Sequence, residues 1–230
     1  MPSIEEHIVN NVSNVSVHTS FSVILIIVEH YQLEQERDMR QVIGLIGGGF
    51  KPFTAGHYSL VEKAARECDS VLLFVSIRDR ARPGEVEITW EQMKQVWLTF
   101  LYKALPKNVK VLYVPSPVRG ILDVLIEANT DKTNENTYMI YTDPEDGVSN
   151  YPETVQKKYM PRLVANHQIV IKPIARAAAT GGVNISGTKM RQHLGTGNVK
   201  AFTKGLPLPV QLYGPKIFQL LGGKTSKSDQ

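Results

Sequence analysis

The stretch Gly47-Gly48-Gly49-Phe50-Lys51-Pro52-Phe53-Thr54-Ala55-Gly56-His57 decides the fold. It follows Val42-Ile43-Gly44-Leu45-Ile46, a short apolar run that reads as a buried β-strand. It precedes Tyr58–Arg66, which has helical spacing and good helix formers. Strand, glycine-rich turn and helix open a βαβ unit. Three successive glycines remove the Cβ atoms that would keep an anion from the backbone. The helix behind them supplies unpaired N–H groups and the positive end of its dipole. The expected ligand is a phosphate compound.

Outward from this turn, strand and helix patterns alternate. Ser70–Ile77, Val109–Val114, Thr137–Thr142 and Gln168–Ile171 read as buried strands. Thr89 and Gln92 have capping-box spacing before a helix running to about Leu105, and Val118–Ala128 and about Glu153–Val164 read as further helices. Asp143–Asn150 is turn-rich. The pattern predicts an α/β, Rossmann-like open parallel sheet of about five strands with helices on both faces. Such sheets bind ligands at the carboxyl ends of their strands, where the glycine turn falls.

Composition narrows the setting. The 230 residues are 42% hydrophobic and 21% charged, as in a folded globular protein, with a formal charge of +4. Residues 1–40 carry six acids and two bases, leaving +8 on residues 41–230, a balance that suits anionic ligands. No Lys/Arg run with interleaved aromatics occurs, so nucleic acid is not an expected partner. Cys68 is the single cysteine, which rules out an internal disulfide or a multi-thiolate metal site, and it reads as a packing residue. The longest apolar run, Val23–Val28, is too short to span a bilayer, and Glu5 and Glu6 replace the basic start of a secretory signal. A cytoplasmic protein without a membrane partner is expected. Residues 1–40 read as an N-terminal extension, either packed on its own domain or serving as an arm toward a second copy or assembly partner. Residues 41–222 read as one domain and 223–230 as a flexible polar tail.

A second glycine-rich turn into a helix occurs at Gly181-Gly182-Val183-Asn184-Ile185-Ser186-Gly187-Thr188-Lys189-Met190-Arg191, with Ser186 as the N-cap candidate. Taken by itself this is a capped helix. Paired with Thr54-Ala55-Gly56-His57, about 130 residues earlier, it resembles the nucleotidyltransferase superfamily, whose signatures are a T/H-x-G-H loop and a late I-S-x-T-x-x-R. Phosphopantetheine adenylyltransferases also have Thr at the first position of that loop. Pro52–His57 with the residues up to Ala65 also looks like citrate lyase ligase.

The resemblance covers about residues 41–195 and implies transfer of AMP or CMP from ATP or CTP to a small anionic acceptor, with release of pyrophosphate. The alternative is a non-catalytic nucleotide-binding or structural module of an assembly that keeps this fold. By match, His57 and Thr54 are the catalytic candidates at the α-phosphate, and Lys51, where members often have Asp or Asn, joins them as a cation for a phosphate or acidic acceptor. Gly48, Gly49, Phe50, Gly56 and Asp143 would line the nucleotide, and Ser186, Thr188 and Arg191 would take the β- and γ-phosphates. Arg78, Arg80 and Arg82 are candidates for acceptor or phosphate contacts. Mg²⁺ would arrive with the triphosphate, and no protein-held metal is expected. Tyr141-Thr142-Asp143 stands where many members have Gly-x-Asp.

Overall fold

A computed structural model describes residues 40–174 and 185–223. The expectations for residues 1–39, for Gly181–Asn184 and for the tail beyond Gly223 lie outside these. Five strands form one parallel sheet: β1 (Val42–Gly48), β2 (Ser70–Ser76), β3 (Val109–Val114), β4 (Thr137–Thr142) and β5 (Ile169–Pro173). Their order is β3-β2-β1-β4-β5. Leu45 pairs with Leu72 on one side and Ile140 on the other. The chain thus winds outward from β1 in one direction and returns beside it with β4. The gap between the carboxyl ends of β1 and β4 is where the strand order reverses.

Both faces of the sheet are buried because successive side chains alternate between them. Ile46, Leu73 and Tyr141 join the core under α1 (Ala55–Glu67) and α2 (Trp90–Val96). Leu45, Phe74 and Ile140 join the opposite core under α3 (Pro117–Thr130). α2 continues as a π turn over Trp97–Leu101 and a 3₁₀ turn over Tyr102–Ala104, so the single helix expected to Leu105 changes its winding midway. A 3₁₀ segment at Leu208–Tyr213 follows α7 (Gly187–Gly195) and α8 (Val199–Lys204) and precedes α9 (Gly214–Leu220). Met190, Phe202 and Ile217 of this region complete the first core.

Two expectations change. The Asp143–Asn150 stretch is not a turn but a short helix, α4 (Pro144–Asn150). Proline is pre-organised for a first helical turn, and Gly147 allows close packing: a Cβ there would lie 2.9 Å from Thr142 Cγ2. The Glu153–Val164 helix divides into α5 (Glu153–Tyr159) and α6 (Pro161–Ala165). Pro161 cannot donate to the preceding turn, so a new helix starts at it. Among the described residues no helix is long and apolar enough to cross a membrane.

The capping box before α2 is present in both directions. Thr89 Oγ1 accepts from the Gln92 N–H at 3.2 Å, and Gln92 Oε1 accepts from the Thr89 N–H at 2.9 Å. Thr89→Ala should lower stability by about 1 kcal/mol, as loss of an N-cap does. Urea unfolding measures this, and a change within 0.2 kcal/mol or so would mean that packing alone holds the helix start.

Candidate active site

The β1–α1 turn builds one wall of the site. Thr54 is the N-cap of α1, and its Oγ1 accepts from the His57 N–H at 3.3 Å. In return the Thr54 N–H donates to His57 Nδ1 at 3.0 Å. A ring nitrogen that accepts a backbone N–H carries no proton in the neutral imidazole, so the proton resides on Nε2. Phe50 and Phe53 pack against the imidazole, with ring centroids 5.0 and 5.7 Å away. The Ala55 N–H donates to the Gly205 carbonyl at 2.9 Å, which ties the turn to the C-terminal helices. The histidine is therefore held from several sides.

The three glycines divide their work. A Cβ on Gly47 would come within 3.1 Å of Ile121 Cδ1 and Pro117 Cβ, so this residue lets α3 pack closely. A Cβ on Gly48 would lie 2.6 Å from the Phe50 ring, which folds back over the strand end because Phe50 adopts φ 49. Only at Gly49 would a Cβ meet nothing within 4 Å. Of the three, this is the glycine that leaves open space for a ligand.

A cavity of about 450 Å³ lies at the carboxyl ends of β1 and β4. It brings together Gly48, Gly49, Phe50, Thr54, Gly56, His57, Asp143 and Ser186 of the residues expected at the site. Ser186 caps α7, its side chain accepting from the Lys189 N–H at 3.2 Å, as its position before the helix predicts. Asp143, at the end of β4, accepts through its carbonyl from the Gly147 N–H. Ser59, Lys63 and Arg66 of α1 also line the cavity, as do Tyr141, Ile174 and Asp146. The α1 residues were legible as a helical face, since Gly56, Ser59, Lys63 and Arg66 follow at intervals of three or four.

Six expected residues do not line this cavity: Lys51, Thr188, Arg191, Arg78, Arg80 and Arg82. Lys51 is 5% exposed and its ammonium donates to the carbonyl of Ser76 at the end of β2. It stands 5.8 Å from the Trp90 ring centre. Burial lowers its pKa from 10.5 to about 8, with Asp79 opposing the shift and Arg80 adding to it. Lys51 is thus a clip between two strand ends. Arg191 is 4% exposed and donates to Glu85 at 2.6 Å, to the Lys51 carbonyl at 2.7 Å and to Thr188 Oγ1 at 3.1 Å. Arg80 pairs through its backbone with Ile88, closing the β2–α2 loop, while Arg78 and Arg82 are exposed.

Tyr141 does not fill the cavity. It is 1% exposed, and its hydroxyl donates to Glu67 at 2.7 Å beside the Cys68 thiol. Burial, then the bonds to Cys68 and Glu67, raises its pKa above the usual phenol range. The ring forms a floor under the site.

Comparison with known proteins agrees with this architecture. The profile of the citrate lyase ligase C-terminal domain matches residues 47–91, the glycine turn through the start of α2. No curated protein sequence matches the chain. A bifunctional NMN adenylyltransferase/ADP ribose pyrophosphatase from Francisella tularensis, solved with AMP and manganese, superimposes at TM-score 0.51 and 16% identity. The match covers 79% of this chain and 52% of that one, so this chain spans about half of that protein's length. A protein assigned as nicotinate-nucleotide adenylyltransferase from Vibrio parahaemolyticus reaches TM-score 0.46 at 15% identity, covering 79% of this chain and 98% of its own. A nicotinic acid mononucleotide adenylyltransferase from Plasmodium falciparum reaches 0.44 at 12%, covering 80% and 98%. The chain has the Rossmann-like fold of nucleotidyltransferases, and its glycine turn lies within the matched citrate lyase ligase segment.

Gly48→Ala should cost about 1–3 kcal/mol through forced movement of the Phe50 ring, with loss of the His57 packing it supports. Unchanged stability with an unchanged histidine NMR environment would show that the ring moves freely. Lys51 gives a pH signature. Its folded pKa of about 8 lies below the ordinary 10.5, so the unfolded chain binds more protons between those values. Its contribution to stability therefore rises with pH across that window, and it is flat and unfavourable below it. The difference in denaturant midpoint between wild type and Lys51→Met, followed from pH 7 to 10, should shift in favour of the wild type above pH 8. Parallel curves would contradict this.

Proposed function

We propose that the protein transfers a nucleoside monophosphate, AMP or CMP, from the triphosphate to a small anionic acceptor, releasing pyrophosphate. The observation that carries this reading is His57, whose Nδ1 is tied to the Thr54 N–H and whose proton therefore lies on Nε2, in a cavity shared with the capped start of α7. A fixed donor beside an open glycine and a helix N-terminus suits charge that builds on a phosphate.

In the reaction an acceptor oxygen forms a bond to the α-phosphorus as the bond from that phosphorus to the bridging β-oxygen breaks. The bonding electrons leave with pyrophosphate. An acceptor that is already anionic brings its own lone pair, so positioning and charge stabilisation suffice and no covalent enzyme intermediate is needed. His57 donates from Nε2 to the α-phosphate oxygens. Gly49 lets them approach the backbone, and Ser186 with the first N–H groups of α7 takes the β- and γ-phosphates. Asp143 accepts from sugar hydroxyls, and Ile174 flanks the base. Thr54 acts through His57, as its hydroxyl and N–H are both used in the cap.

Mg²⁺ is expected to enter on the triphosphate. Phosphate oxygens would carry the ion. When bound, the ion would neutralise charge on those oxygens.

Pyrophosphate release from ATP and from CTP, with a panel of carboxylate and phosphate acceptors, tests the proposal. His57→Ala should lower turnover by about 10²–10³-fold in a protein that still folds, with a stability loss of only about 1 kcal/mol from the missing capping bond. Wild-type protein that binds neither triphosphate and releases no pyrophosphate would refute the reading. Equal turnover in His57→Ala would remove the histidine from its role.

A further inference from the structure

The two segments that face the phosphates are far apart in sequence, and one buried side chain joins them. Arg191, in α7, donates to the carbonyl of Lys51, 140 residues earlier in the β1–α1 turn. It also donates to Thr188 near the start of its own helix, at 3.1 Å. A Cβ on Gly187 would lie 3.0 Å from the guanidinium, so the helix start is packed directly onto it. The third partner is Glu85 of the β2–α2 loop, 2.6 Å from Arg191 Nε, with 4% and 12% side-chain exposure for the pair.

Charge makes Glu85 the decisive partner. Arg80 of the same loop lies close enough to Arg191 and Glu85 to feel both charges, and its Nε is buried with no partner among the described residues. One carboxylate, bonded to Arg191, thus offsets the mutual repulsion of two guanidinium groups. Removing it would leave that repulsion unopposed and would loosen the β2–α2 loop from α7. A buried ion whose partner is removed is strongly destabilising, whereas the intact pair need add little.

We propose that Glu85 and Arg191 are positioning residues that clamp the β1–α1 turn to the start of α7, setting the spacing between the two phosphate-facing segments so that a nucleoside triphosphate bridges them. The choice of ligand rests on the reaction proposed above; the clamp itself does not. A monophosphate reaches only the His57 side and is indifferent to the spacing. A triphosphate reaches both segments and depends on it.

The test compares binding of ATP and AMP, and of CTP and CMP, to wild type and Glu85→Gln, with hydrogen exchange of the Thr54–His57 amides followed in parallel. If Glu85→Gln does not fold, Glu85→Gln combined with Arg80→Gln restores the charge balance and takes its place. Triphosphate affinity should fall about tenfold, the scale of losing one charge-assisted contact. Monophosphate affinity should stay within about twofold by the same scale. The turn amides should exchange faster while those of β3 and β4 do not. Equal losses for triphosphate and monophosphate, or unchanged exchange in the turn, would overturn the clamp. If the wild type binds none of these nucleotides, the proposed reaction fails, and the exchange measurement alone decides on the clamp.

Discussion

The bond from the Thr54 N–H to His57 Nδ1 is the constraint on which the site depends. A helix start leaves backbone donors without partners, and a reciprocal cap is a common way to satisfy them. Here the residue that answers the cap is a histidine instead of the usual Glu or Gln. The same bond that stabilises α1 therefore selects the tautomer of the ring. Folding and the position of the ring proton are coupled through one contact, because any movement that frees the imidazole also uncaps the helix. The Phe50 and Phe53 rings and the bond from Ala55 to Gly205 reinforce it.

Around that contact, positive charge is kept in two separate populations. Lys51 and Arg191 are turned inward and used as struts, one holding the end of β2 and the other the Lys51 carbonyl. Lys63 and Arg66 line the cavity together with Asp143 and Asp146. Buried cations are tolerated only where acceptors or counter-charges meet them, which the strand-end carbonyls and Glu85 provide. The struts therefore shape the β1–α1 turn without lining the cavity.

This division explains how much could be read from the chain. The strands were legible because parallel sheets bury both faces, so their sequences are continuous apolar runs; β3 and β4 fall on the expected residues. The caps at Thr89 and Ser186 were legible because capping is local. The orientation of Arg191 was not, since its partner Glu85 lies 106 residues away and only the fold brings them together. The separate packing tasks of the three glycines were not legible for the same reason. A run of glycines suggests an anion cradle, but whether a missing Cβ makes room for a ligand or for Ile121 and Phe50 depends on what packs above it.

Tyr141 shows how a bulky residue at the edge of the cavity is accommodated. A bulky residue at this strand end would occlude the cavity if its side chain pointed into it. The pleat directs it to the α1 face, where the ring fills the space between helix and sheet and the hydroxyl reaches Glu67. Glu67 is also the ion-pair partner of Lys63 at 3.8 Å, a half-exposed pair of small energetic weight. Through it, however, the identity of a β4 residue bears on the charge that α1 presents to the cavity: Lys63 shares its carboxylate with Tyr141, while Arg66, one turn further on, makes no ion pair among the described residues. A residue large enough to close the cavity instead adjusts the balance of charge along its wall.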